Sequence, residues 1–189
     1  MINRKEMKSL AKTQIKGRIG MLFLCQFIIS LIISASSTFI VGVLLVPSFS
    51  ISTILIYLAL TKNISPSVND IWKGFNVFGK AVWLNIITGF FVFLWSLLFM
   101  VPGIVKTFAY SMAPYILAEN SDMTAREALA KSKRLTDGHK GELFVLSWSF
   151  IGWYLLIPLT LGLIMIWLVP YVNATSANFY LAMKEQKRD

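Results

Sequence analysis

The sequence is short of nearly everything that catalysis draws on. It has one cysteine, Cys25, and one histidine, His139, in 189 residues. A lone cysteine forms no intrachain disulfide and no thiolate metal cluster. A lone histidine builds a zinc site only with several carboxylates or a partner chain. Glycine-rich phosphate loops, GxSxG, HExxH and paired catalytic carboxylates are all missing. Cys25 therefore reads as a small apolar side chain in a helix. Charge is scarce as well, at 14% of residues against about 25% in soluble domains. Acids are scarcer still, nine against eighteen Lys and Arg, and none falls inside an apolar run. Proton- and sodium-coupled transporters of the usual kind need a carboxylate at membrane depth, so that class is disfavoured.

What fills the space is apolar. Hydrophobic residues make up 56% of the chain, and the mean hydropathy is +0.67. We expect a single all-α integral membrane domain over residues 1–189, a polytopic bundle of about six transmembrane helices. A membrane helix takes about 20 apolar residues. The runs lie at 19–46, 49–60, 81–101, 104–118, 143–159 and 161–183, with Pro47, Pro102-Gly103 and Pro158/Gly162 at the breaks. Segments 48–61 and 104–118 are short, and re-entrant or tilted paths suit them. Ser34-Ala35-Ser36 has the small residues of a signal-peptide cleavage site. The apolar run continues past it, so an uncleaved first span is expected. Cofactors are not expected.

Charge is distributed in islands. Six cations lie in 1–18, three in 62–80, five in 119–142 and three in 184–189. Only Lys106 lies elsewhere. Six spans with cytoplasmic N- and C-termini put every island inside the cell, as the positive-inside rule asks. A net charge of +9 in a soluble chain would suggest nucleic acid. In islands beside apolar runs it points to anionic lipid headgroups instead. Nucleic acid is therefore not an expected partner, and a plasma-membrane, multi-pass location is.

Three basic or amphipathic segments flank the spans. The first is 1–18. The second, 68–80, starts at a Ser67/Asp70 capping pair and carries Val68, Ile71, Trp72, Phe75 and Phe78 at helical spacing; it reads as an interfacial helix. The third, 124–137, has Thr124 at the N-cap, Glu127 three residues on and Gly138 as a stop. Its apolar face is Ala125, Ala128, Leu129, Ser132 and Leu135. Arg126, Lys131, Lys133 and Arg134, with His139 and Lys140 beyond, form a candidate surface for lipid headgroups or a partner protein. The bland reading of the same residues is a solvated connector that sets topology. His139, beside Gly138 and Lys140, reads as solvated and non-catalytic. Glu119, Asp122 and Glu127 are expected to pair with Arg126 and Lys131 or to charge a helix start. At membrane depth, Lys106, Tyr171, Asn173 and Thr175 form a candidate polar cavity. Snorkelling of Lys106 and close helix packing are the simpler accounts.

The stretches VPGIVKTFAYSMAPYILAEN (101–120), TAREALAKSKRLTDGHKGELF (124–144), SWSFIGWYLL (147–156) and WLVPYVNATSANFY (167–180) resemble the bacterial integral-membrane family known as domain of unknown function 975. The resemblance covers about residues 68–183. The centre also looks, more loosely, like the membrane domain attached to some glycerophosphodiester phosphodiesterases, without bringing any catalytic residue. The resemblance implies a multi-span, all-helical membrane protein and no established activity. The expected function is a non-catalytic accessory or protective membrane component acting through lipid or partner-protein contacts, a homo-oligomer included. The alternative is a small transporter or lipid-handling protein.

Overall fold

The computed structural model describes residues 3–36, 40–98 and 100–187, and its regular elements are helical, with no strand among the described residues. Helix α1 is Arg4–Ile15, capped by the Asn3 side chain, which accepts from the Lys5 amide. Met7, Ala11 and Ile15 recur every four residues on one stripe and are buried. That stripe lies along the final helix, α10 (Met165–Gln186). After Gly17, whose φ of +79° suits a residue without Cβ, the chain turns by 91° into α2, Ile19–Ser36.

Helix α3 runs Ile40–Thr61 with Pro47 inside it. The expected break at Pro47 is therefore absent, and 48–61 is no separate short segment. An interior proline costs about 3 kcal/mol. Phe49, Ile51, Ile54, Ile56 and Leu58 are buried beyond it, at roughly 1.5–3 kcal/mol each, so packing wins. The first expected run, 19–46, is divided between α2 and α3, and residues 37–39 lie outside the described residues.

A 3-10 segment, Val68–Val77, opens with the expected Ser67/Asp70 capping box and runs directly into α4, Phe78–Leu98. The expected interfacial helix is thus a 3-10 entry to α4 rather than a free α-helix. Pro102 and Gly103 make no loop. They sit in the first turn of α5, Met100–Tyr110, where proline is tolerated. Gly103 lets that turn press onto Ser96 of α4. The expected run 104–118 is divided between α5 and α6, Ala113–Glu119, which has Pro114 in its first turn. Helices α7 (Ala125–Leu135), α8 (Lys140–Trp148) and α9 (Ile151–Leu159) follow.

Helices α3 and α10 form the centre. In α10, Leu168, Ala174, Thr175, Ala177, Asn178, Phe179 and Met183 are buried. Its hydroxyls bond back along the helix, Thr175 to the Tyr171 carbonyl at 2.7 Å and Ser176 to that of Val172 at 2.9 Å. Asn178 and Gln14 of α1 exchange two amide hydrogen bonds, at 2.8 and 3.1 Å. The bundle's outside is apolar in α2, α4 and α9: Phe93 is 66% exposed, Leu97 72% and Leu159 78%. Among the described residues three stretches are long and apolar enough to cross a membrane, Leu44–Thr61, Val68–Leu97 and Lys140–Leu159, or four if the bent α1–α2 pair counts as one. Helix α10 has the length but not the hydropathy, because its polar residues serve the interior.

Candidate functional site

The basic islands converge. Arg18 donates to the Asn63 carbonyl at 3.3 Å, and Lys80 to that of Ser121 at 2.6 Å. Lys187 reaches the carbonyls of Arg134 and Asp137. Lys184 meets Glu119 at 2.5 Å, and the Tyr180 hydroxyl donates to the same carboxylate at 2.7 Å. Lys62, Lys73, Asp70, Glu119, Asn120 and Lys184 line one cavity of about 430 Å³. The ends of α3, α6 and α10 thus share a polar pole with the 3-10 segment. Glu119 pairs there, not with Arg126 or Lys131 as the sequence suggested, because α6 ends against α10. Burial alone pushes the Glu119 carboxyl up. Hydrogen bonds from Lys184 and Tyr180, and the charges of Lys184 and Lys62, outweigh it and hold the group below the usual carboxylate range.

Helix α7 carries its expected capping box. Glu127 receives the Thr124 amide and hydroxyl, both at 2.8 Å, and its carboxyl is lowered by those bonds. The face Ala125, Ala128, Leu129 and Ser132 is buried. Ser132 and Thr136 both donate to the Ala109 carbonyl of α5, at 2.8 and 3.3 Å. These bonds lock the helix to α5 and fix which cations point where.

The six candidate surface residues are therefore not equivalent. Arg126 and Lys133 turn toward α4, where with Leu129 and Ala130 they form one wall of a cleft of about 530 Å³. Trp83, Ile86, Ile87, Phe90 and Phe91 of α4, with Tyr110, form the other. Neither cation has a carboxylate in ion-pair range among the described residues. Lys131 and Arg134 are exposed and do not line this cleft. Lys140 pairs with Asp137 at 3.2 Å. His139 is not solvated: its side chain is 15% exposed and Nδ1 lies 3.1 Å from Glu142. A helix start at Lys140 places Glu142 one turn on, within its reach.

The second candidate set is not brought together. Lys106 stands over the Trp95 ring, 4.8 Å from its centroid. Tyr171 stacks on Trp167 with centroids 4.6 Å apart, and Thr175 is spent on its own helix. Of the four, Asn173 lines a cavity of about 380 Å³ with Gln26, Ser50, Thr53, Ser111 and Tyr115. Tyr57 turns its hydroxyl toward Asn173 without closing a hydrogen bond. Among the described residues no group of three or more His, Cys, Asp and Glu is placed to hold a metal ion.

The sequence reading missed the α4 wall, because Trp83 to Phe91 read only as part of a span. It also missed two cation–ring contacts, Lys8 over Phe150 at 4.3 Å and Lys12 over Tyr171 at 5.7 Å. The basic spacing in 1–18 was their only signal.

The arrangement defines an all-helical protein with several helices apolar enough for a bilayer and a shared basic pole. Residues 101–187, from the start of α5 past the end of α10, match the family described as Protein of unknown function (DUF975). The resemblance carried by the motifs thus holds over that segment; residues 68–100 lie outside the match. No curated protein and no solved structure matches the chain.

Proposed function

We propose that the chain is a non-catalytic, multi-pass accessory or protective component of the plasma membrane, acting through anionic lipid or a partner protein. One observation carries the reading: an apolar exterior on α2, α4 and α9 sits on a bundle whose basic islands meet at one pole. Such a body partitions into a bilayer with its cations at the anionic cytoplasmic face. In this reading both termini are cytoplasmic and three hairpins enter from that side, α2 with α3, α4 with α5–α6, and α8–α9 with α10, six crossings in all.

The test uses Leu161→Cys, at a hairpin tip that is 92% exposed. The native thiol of Cys25 is buried. The protein should resist extraction by alkaline carbonate, and an impermeant maleimide added to intact cells should label the new thiol. Release by carbonate would end the membrane reading. Labelling only after permeabilisation would make that hairpin re-entrant.

A second reading, a small transporter or lipid-handling protein, is favoured by the cavity at Gln26 and Asn173. Proteoliposomes should then swell in glycerol faster than empty vesicles, and Asn173→Leu with Gln26→Leu should abolish the excess. Swelling equal to that of empty vesicles, or unchanged in the double variant, discards this reading for glycerol-like solutes.

A further inference from the structure

We propose that the cleft between α4 and α7 is a binding site for one anionic phospholipid of the cytoplasmic leaflet, with its phosphate at Arg126 and Lys133. The inference rests on the membrane reading above and gives it a specific address.

Three features of the cleft converge on that ligand. The volume, about 530 Å³, lies in the range of small-molecule sites, about 300–1,000 Å³. The α4 wall is apolar and aromatic and stays open: Trp83 is half exposed and Phe90 more so. A soluble polar ligand gains little from such a wall, whereas an acyl chain does. The charge on the opposite wall has one sign. Arg126 and Lys133 are seven residues apart, two turns on one stripe of α7, so they stand about 10.5 Å apart along the axis. An anion between them meets two cations that no described carboxylate neutralises. Arginine offers a planar fork to phosphate, and lysine a mobile point charge.

The depth agrees with this. Trp83 lies five residues into α4, about 8 Å along the helix from Phe78. Tryptophan at that level belongs to the interface. The headgroup would therefore lie beside α7 and the chain would run down α4 past Ile87 and Phe91. The site is rigid, since Ser132 and Thr136 pin α7 to the Ala109 carbonyl.

The experiment is native mass spectrometry of the full chain, released from detergent after incubation with equal amounts of phosphatidylglycerol and phosphatidylcholine. The wild type should hold one phosphatidylglycerol with about tenfold preference or more. Arg126→Gln with Lys133→Gln should reduce that preference about tenfold. Ala130→Trp, at an exposed position lining the cleft, should block the acyl path and lower retention with both cations present. Lys131→Gln with Arg134→Gln removes the same charge from the same helix and should change nothing. Three outcomes would overturn the site: no preference in the wild type, equal loss in the Lys131/Arg134 control, or full retention in Ala130→Trp. The last would mean that a phosphate binds without its chain. Carbonate resistance in the same preparation separates failure of the site from failure of the membrane reading.

Discussion

Gly74→Ala is expected to lower the midpoint of thermal unfolding in detergent by several degrees, about 3 kcal/mol in stability. A Cβ at Gly74 would overlap the Ser48 carbonyl oxygen and would lie 2.5 Å from Ser52 Oγ and 2.7 Å from the Ser52 nitrogen. Two of these are backbone atoms of α3, so no rotamer change relieves the overlap. The Gly74 amide also donates to Ser52 Oγ at 2.9 Å, and that hydroxyl donates on to the Ser48 carbonyl at 3.1 Å. One methyl therefore pushes the 3-10 segment off α3 and breaks a buried hydrogen-bond relay. Small residues at a helix crossing, with a hydroxyl as the link, are the usual device for close approach in an apolar medium. Gly79 is the control. A Cβ there meets nothing within 4 Å, and Gly79→Ala should be neutral or stabilise by about 0.5–1 kcal/mol. Equal midpoints for both variants would show that the contact at Gly74 does not hold the segment.

Glu119→Gln is expected to cost about 2 kcal/mol and to flatten the acid side of the stability profile. The carboxylate is the shared acceptor for Tyr180 and Lys184. The amide keeps the shape but loses the charge and presents a donor to Lys184. Lys184 is 39% exposed, so solvent screens part of the pair, and the estimate is correspondingly modest. The folded-state carboxyl is held below its ordinary value. Its contribution is therefore complete above the unfolded pKa, about 4.3, and is lost as pH falls through the folded value. Unfolding midpoints between pH 3.5 and 7 should fall toward acid in the wild type and fall less in the variant. Glu127 is lowered too, so a residual slope is expected. Identical slopes would remove Glu119 from the account.

Local signals carried well from sequence to structure. Both capping boxes, the apolar stripe of α7 and the turn at Gly162 were legible, because each depends on residues three or four apart. The path of the helices was legible only in part. Pro47 and Pro102-Gly103 are stop signals in isolation, but the first is overridden by packing beyond it and the second falls where a helix starts. The roles of polar residues were hidden for a different reason. Asn178 finds Gln14 across 164 positions, and Glu119 finds Lys184 across 65. No window along the chain contains both partners. The same limit hid the cavity that Asn173 shares with Gln26, and it concealed that Arg126 and Lys133 face a wall while Lys131 and Arg134 do not.

The pairing of α1 with α10 also sets a clock. The stripe Met7, Ala11 and Ile15, together with Gln14, has its partner surface on a helix made some 150 residues later. At about 5–20 residues per second, the first helix waits roughly eight to thirty seconds before that surface exists. During that interval its apolar stripe is without that partner, and the bundle's centre stays open. Completion of the fold is thereby tied to the synthesis of α10, and a nascent chain stalled before it exposes the same stripe to whatever surface or chaperone lies nearest.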